Sequence, residues 1–347
     1  MKALSFTGVD KKEVLDKKKP EVEKSTDAVV KLVKSTICGT DLHIMAGHVP
    51  EVPDGLTIGH EGIGIVEEVG SGVANFKVGD KVLISCITSC GKCHYCKKGL
   101  YAHCEDGGWI LGHLIDGTQA EYVRIPHADN SLHHVPKGMN DDSLVMLSDI
   151  FPTGLEIGVL SGQVEPGCTV AIVGAGPIGM AALLTAQFYS PGKIIMVDLD
   201  DNRLEMSKQF GATDTVNSKN PEDAVKQILD LTDGLGVDVA MEAVGYPKTF
   251  DLCQEIISPG GRIAVIGVHG ESVDFHLETL WIKNINVSTG LVSTYTTPML
   301  LKTVEAGKLV PNELVTHHFH FDDILEAYKT FENAADNKAL KLIIDFE

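Results

Sequence analysis

The stretch Thr169-Val170-Ala171-Ile172-Val173-Gly174-Ala175-Gly176-Pro177-Ile178-Gly179, continuing into Met180-Ala181-Ala182-Leu183-Leu184, decides how this chain folds. An apolar strand-like run ends in a glycine turn and passes directly into a long apolar helix starting near Pro177. In such a turn the first glycine allows the tight bend, the second lets backbone approach a pyrophosphate, and the third lets helix pack on strand. The free N–H groups and dipole at the helix start then favour a phosphate. Glycine turns also simply join strands to helices, so the pattern alone is weak. Its context is stronger, because Asp198 follows Gly179 by nineteen residues, at the end of a second buried run, GKIIMVDLD. A carboxylate there accepts the hydroxyls of an adenosine ribose. It would repel the 2′-phosphate of NADP, and Leu199, Asp200 and Asp201 put no cation beside it, so the expected cofactor is NAD. Arg203, the next positive charge, reads equally well as a ribose or phosphate contact and as a helix-surface residue.

Working outward, DNRLEMSKQFGA reads as a helix, and VDVAMEAVG, GRIAVIGV and INVSTGLV as further strands separated by helical spacers. Strands alternating with helices imply a parallel, doubly wound sheet, hence an α/β fold class. The first third differs. DAVVKLVKST, EGIGIVEEVG and GDKVLIS are short β-type runs broken by glycine, the pattern of antiparallel strands and of a small β-barrel. After about Leu291, MLLKTVEAGKL and FDDILEAYKTFENAAD read as amphipathic helices and KLIIDFE as a strand, and none of them extends the α/β alternation. The expected division is residues 1–150 with 291–347 in one domain and 151–290 in the dinucleotide-binding domain.

The 347 residues allow about two domains with real cores. A formal charge of −19 argues against a nucleic-acid partner or an anionic lipid surface. No signal-peptide-like run and no stretch of membrane-span length is visible, so a cytoplasmic location without membrane attachment is expected.

Four of the eight cysteines fall within fifteen positions. Cys90-x2-Cys93-x2-Cys96-x7-Cys104 has the spacing with which thiolates turn back on one ion, and four of them close a tetrahedral zinc shell. With no open position for substrate, that metal would be structural, contributing on the order of 10 kcal/mol to ordering its loop. A second constellation comprises Cys38-Gly39-Thr40-Asp41-Leu42-His43 and Gly59-His60-Glu61-Gly62-Ile63-Gly64. A reactive zinc needs about three protein ligands and one open position, and Cys38 and His60 are suitable donors.

Taken in order and spacing, C-G-T-D-x-H, G-H-E-x-x-G, the four-cysteine lobe and G-x-G-x-x-G resemble the zinc-dependent alcohol dehydrogenases of the medium-chain dehydrogenase/reductase superfamily, nearly end to end. The resemblance implies a GroES-like catalytic domain interrupted by a Rossmann domain, which returns the tail to the first domain. It implies two zinc ions per subunit, and Asp149, in Ser148-Asp149-Ile150-Phe151-Pro152-Thr153-Gly154, as third ligand to the reactive one. Glu61 is implied as an alternate or outer ligand. It further implies that Thr40 hydrogen-bonds the reacting oxygen and that His43 ends a proton relay. Thr153 and Ile178 would lie by the nicotinamide, Val268 would belong to the cofactor-binding set, and Lys341 would contact the pyrophosphate. The activity implied is NAD-linked interconversion of an alcohol and its aldehyde or ketone, in a homotetramer. Polyol, butanediol or threonine oxidation by a close relative, and a zinc-free reductase, are the alternatives. Trp109, Leu111 and Leu291 are candidate walls of the substrate pocket.

Overall fold

The computed structural model describes residues 1–346. The chain divides into two compact units, Met1–Pro152 with Ser293–Glu347, and Thr153–Val292. Each junction lies two residues beyond the one read from the sequence.

In the first unit β1 (Lys2–Gly8) and β2 (Lys11–Asp16) form a hairpin. The run Ala28–Thr36 keeps Val30 and Leu32 inside and Lys31 outside, which makes it a strand with one wet face, β3. It pairs antiparallel with β4 (Gly62–Val69) and β6 (Tyr122–Ile125), and β4 continues to β5 (Lys81–Ile84) and β7 (Leu132–His134). Val30, Leu32, Val66, Val82, Ile84 and Val123 fill one buried cluster between them. Each such fully buried aliphatic side chain contributes about 1.5–3 kcal/mol. β3 and β4 approach closely at Gly64, where a Cβ would stand 2.3 Å from the Lys31 carbonyl oxygen.

The second unit begins its sheet with the all but fully buried β8 (Thr169–Val173), which a neighbour flanks on each side. With β9 (Lys193–Asp198), β10 (Asp214–Asn217), β11 (Val237–Glu242), β12 (Ile257–Val265) and β13 (Asn286–Thr289), the order is β10-β9-β8-β11-β12-β13, every pair parallel. This is the doubly wound sheet expected from the strand–helix alternation. Of GRIAVIGV, only the part up to Val265 is strand; Val268 lies beyond it and is exposed.

The tail belongs to the first unit. β14 (Val315–His320) pairs parallel with β15 (Lys341–Asp345), and β15 pairs antiparallel with β3, Ile343 opposite Thr36. Phe321, Ile324, Tyr328, Leu342 and Ile344 complete a second core with Leu4, Phe6, Ile37 and Ile44. That register brings Lys341 to the end of β3. Among the described residues no single helix is long and apolar enough to cross a membrane.

Candidate active site

The motif C-G-T-D builds its own corner. Cys38 precedes the helix Gly39–Met45, and Asp41, on the first turn, reaches back to accept the Cys38 backbone N–H at 2.9 Å. This is half of a capping box, and it fixes the thiol at the end of β3. His60 and Glu61 lead directly into β4. Asp149 sits between the 3₁₀ turn Met146–Ser148 and the helix Ile150–Thr153, outside both helical conformations at φ −144°, ψ −65°. The neighbouring Ser148 hydroxyl accepts the Gly62 N–H at 3.2 Å, tying that segment to β4.

The consequence is a buried cluster in which Cys38, His60, Glu61 and Asp149 each offer a ligand atom within 4.8 Å of the others. Asp149 Oδ2 lies 3.7 Å from Cys38 Sγ and 3.3 Å from His60 Nε2. One sulfur, one imidazole nitrogen and one carboxylate oxygen make the donor chemistry of a reactive zinc. Burial alone would disfavour a charged His60, but the hydrogen bond to Asp149 and the neighbouring Cys38 and Asp41 outweigh it and raise its pKa well above the usual value. A metal ion at these donors would compete with the His60 proton.

Two further carboxylates surround these donors. Asp41 Oδ1 faces His60 Nδ1 at 3.7 Å, beyond hydrogen-bond length, and acts on the imidazole through its charge. Asp41 Oδ2 also accepts Gln119 Nε2 at 3.0 Å, and Gln119 in turn accepts the Tyr328 hydroxyl at 2.8 Å. Burial pushes the Asp41 carboxyl pKa up, and its Oδ1 has no hydrogen-bond partner, which a nearby cation would offset. Glu61 is held by its other end. Its Oε2 accepts Lys341 Nζ at 2.6 Å and the Thr36 hydroxyl, while Oε1 is buried without a partner.

Lys341, which the sequence reading set against the pyrophosphate, is fully buried, its ammonium shared between Glu61 Oε2 and the Ile37 carbonyl at 3.3 Å. Thr40 is half-buried with its hydroxyl 3.7 Å from Cys38 Sγ. His43 lies one turn further along the same helix, its Nδ1 3.2 Å from His48 Nδ1.

The four-cysteine segment wraps round a point. Cys90 and Cys96 sulfurs are 4.0 Å apart, close to the roughly 3.8 Å edge of a tetrahedron with 2.3 Å zinc–sulfur bonds. Backbone N–H groups point at sulfur, Cys93 to Cys90 at 3.3 Å, Cys96 to Cys93 at 3.5 Å and Cys90 to Cys104 at 3.2 Å. The Cys96 and Glu105 N–H groups hold the Cys93 thiol down to about 6, whereas burial pushes Cys96 up to about 12. All four ligand atoms fall within 4.8 Å of one another.

In the second unit, the glycine loop has the geometry its sequence requires. Gly174 takes φ +108°, and a Cβ on Gly179 would stand 1.8 Å from the Gly174 carbonyl oxygen. A Cβ on Gly176 would meet nothing within 4 Å, leaving the backbone open to a phosphate before the helix Pro177–Ala186. Asp198 accepts the Ala175 N–H at 2.6 Å and the Asp200 N–H at 2.9 Å. Thr153 precedes the π-helical turn Gly154–Leu160, Ile178 lies on the first turn after the loop, and Arg203 is half-buried on the helix Asp201–Gln209.

Comparison with known proteins agrees with this chemistry. A family described as the alcohol dehydrogenase GroES-like domain matches residues 24–137, and one described as zinc-binding dehydrogenase matches 177–306. The structure of zinc dependent alcohol dehydrogenase 2 from Streptococcus pneumonia, in its apo form, is 62% identical, with a TM-score of 0.96, covering 99% of this chain and 98% of that one. An alcohol dehydrogenase of Cupriavidus necator is 34% identical over 369 residues, covering 99% and 98%. An NADP-dependent isopropanol dehydrogenase of Thermoanaerobacter brockii is 32% identical over 338 residues, covering 94% and 95%. The chain belongs to the zinc-dependent alcohol dehydrogenases.

Within this alcohol dehydrogenase, five residues that the sequence reading gave no role surround the donor cluster: Asp41, Thr36, Cys86, Gln119 and Tyr328. Cys86 Sγ stands 3.6 Å from Asp149 Oδ1, so that carboxylate meets Cys38 and His60 with one oxygen and Cys86 with the other. Only Asp41 left a signal in the sequence, an acid three residues after a helix-capping position. Of the proposed pocket walls, Leu111 is fully buried in the strand core and so lines no pocket surface. Trp109 is half-buried and stacked on His113 at 4.1 Å, and Leu291 is 41% exposed.

Proposed function

We propose that this alcohol dehydrogenase interconverts a primary or secondary alcohol and its aldehyde or ketone with NAD, using a reactive zinc held by Cys38, His60 and Asp149 and a structural zinc held by Cys90, Cys93, Cys96 and Cys104. The observation that carries the reading is the buried three-donor set with its fourth neighbour, Glu61, drawn back onto Lys341. Bound zinc supplies Lewis acidity and bound nicotinamide accepts the hydride. The chain's own residues do the rest. The negative charge of Asp41 faces His60, Cys86 engages the outer oxygen of Asp149, and Lys341 restrains Glu61. Thr40 holds the alcohol proton at its Oγ, and His43 exchanges protons with solvent near neutral pH.

For the cofactor, Asp198 supports NAD: its carboxylate closes the glycine loop, and Leu199, Asp200 and Asp201 place no cation beside it. The Thermoanaerobacter brockii relative is NADP-dependent, so the preference is a property to measure on this chain. Association with a second copy of the chain, as a homotetramer would require, is supported by one edge of the second unit. Edge strand β13 is largely exposed, and Phe275, Leu277, Trp281, Ile282 and Val287 are each more than 40% exposed. An unpaired strand edge is a template for pairing, and a clustered apolar patch marks an interaction site. Eight free thiols suit a reducing compartment such as the cytosol.

The test is zinc counting with NADH-linked assays over aldehydes, ketones, polyols and threonine, on the wild type and Cys38→Ser. Two zinc ions in the first, one in the second, and loss of turnover with NADH binding retained are the expected results. Full activity in Cys38→Ser would remove the reactive zinc from the account.

A further inference from the structure

The helix that carries Thr40 and His43 ends in a closure that fixes what lies above His43. His48 N–H donates to the His43 carbonyl at 3.0 Å and Gly47 N–H to the Ile44 carbonyl at 3.0 Å, with Gly47 at φ +76°. These are the 6→1 and 5→2 bonds of a Schellman motif, and they bring residue 48 back over residue 43 by backbone alone. A Cβ at position 47 would be strained and would come within 2.8 Å of Val9 Cγ2. An apolar contact commonly joins these two positions of the motif. This chain places two imidazoles there instead, Nδ1 to Nδ1 at 3.2 Å and ring centroids 5.5 Å apart.

At that distance one Nδ1 must donate and the other accept. We propose that His48 is the positioning partner of His43, sharing one proton with it across the Nδ1–Nδ1 contact and passing it to solvent. This rests on the reading of His43 as the protein's outlet for the alcohol proton. His43 is half-buried, and Nδ1 is committed to His48, which leaves Nε2 as its second port. A proton taken up at His43 Nε2 is matched by release of the Nδ1 proton to the lone pair of His48 Nδ1. His48 then loses its Nε2 proton to water or a buffer base. The pair ends with donor and acceptor exchanged, no other bond is altered, and carbonyl reduction runs the same steps backwards.

The surroundings leave His48 as the titratable group that meets His43 directly. Burial, and then the charge of His48, hold the His43 pKa below the usual value. The neighbours packed on this helix present carbon: Leu4 and Phe6 from β1, Val52 and Leu56 from the following loop, and Phe321 and Ile324 from the tail. Asp41 on the helix and Tyr328 from the tail are engaged with Gln119, and Asp41 with the Cys38 N–H as well.

The experiment compares wild type, His48→Leu, His48→Gln and His43→Gln as zinc-loaded enzymes. His48→Leu restores the apolar contact usual in the motif, so the turn persists. Histidine-selective NMR titration of the resting enzyme should show the His43 titration displaced, and the signal of a shared Nδ1 proton lost, in both His48 variants. In dilute buffer their kcat for alcohol oxidation should fall by about three- to tenfold, with KM for alcohol unchanged and the loss regained on adding imidazole buffer. The acid limb of the kcat profile should move with the His43 titration. An unmoved His43 titration overturns the shared proton. A moved titration with a buffer-independent, wild-type kcat overturns the export role. Full activity of His43→Gln in dilute buffer instead takes His43 out of the proton path, a failure of the underlying reading that the NMR result does not share.

Discussion

Lys341 is a single buried cation on which several effects depend. Its partner Glu61 is 280 residues away in the chain, and both side chains are 1% exposed. Removing one member of a buried pair leaves an uncompensated charge, which typically costs about 3–5 kcal/mol. Lys341→Met should therefore lower thermal stability sharply, and adding Glu61→Gln should recover most of the loss. Equal melting temperatures for single and double variants would show that the pair is not coupled. Asp41→Asn should weaken zinc binding at the reactive centre by about 10–100-fold while leaving the thiolate lobe loaded, as read by chelator competition. The sign of the pH effect follows from His60. Its proton is bound more tightly in the metal-free fold than in an ordinary histidine, so zinc has to displace it. Zinc affinity falls as pH falls, and titrating the apo enzyme with zinc in weak buffer should release protons. None of this is visible in L-K-L, where alternation would turn a lysine away from its flanking leucines; the partner is chosen by the pairing of β15 with β3.

At the level of elements, the sequence was most readable where one residue type serves one backbone need. The loop Gly174–Gly179 is such a case, and Gly179→Ala would drive a Cβ to 1.8 Å from the Gly174 carbonyl oxygen. Loss of NADH binding, read by quenching of nicotinamide fluorescence changes, and a lowered melting temperature are the expected outcomes; normal NADH affinity would show that the loop tolerates a shift. The thiolate segment was equally legible, since its spacing alone brings four sulfurs round one point. Legibility ended where an element's end depends on its neighbours. GRIAVIGV reads as one strand, yet β12 stops at Val265 and leaves Val268 exposed. Asp198 was readable as a ribose acceptor, but its grip on the Ala175 N–H depends on a turn conformation that composition does not reveal.

Across the whole molecule, the alternation of strands and helices marked the parallel sheet, and the glycine-broken runs marked the antiparallel one. The junctions fell two residues from where the pattern changed, because helix Ile150–Thr153 bridges the first of them with apolar residues that suit either unit. Assembly belongs to this scale as well. Trp281→Glu with Val287→Lys should shift the species seen by light scattering towards smaller assemblies, since charge on an exposed edge blocks pairing. An unchanged mass would move the interface elsewhere. β15 has a consequence for the order in which the protein is made. A ribosome finishes the whole parallel sheet before it reaches Lys341, so the nascent chain holds Cys38, His60 and Asp149 without the strand that neutralises Glu61. The ion pair that restrains Glu61 can therefore close only after every strand of the parallel sheet has been synthesised.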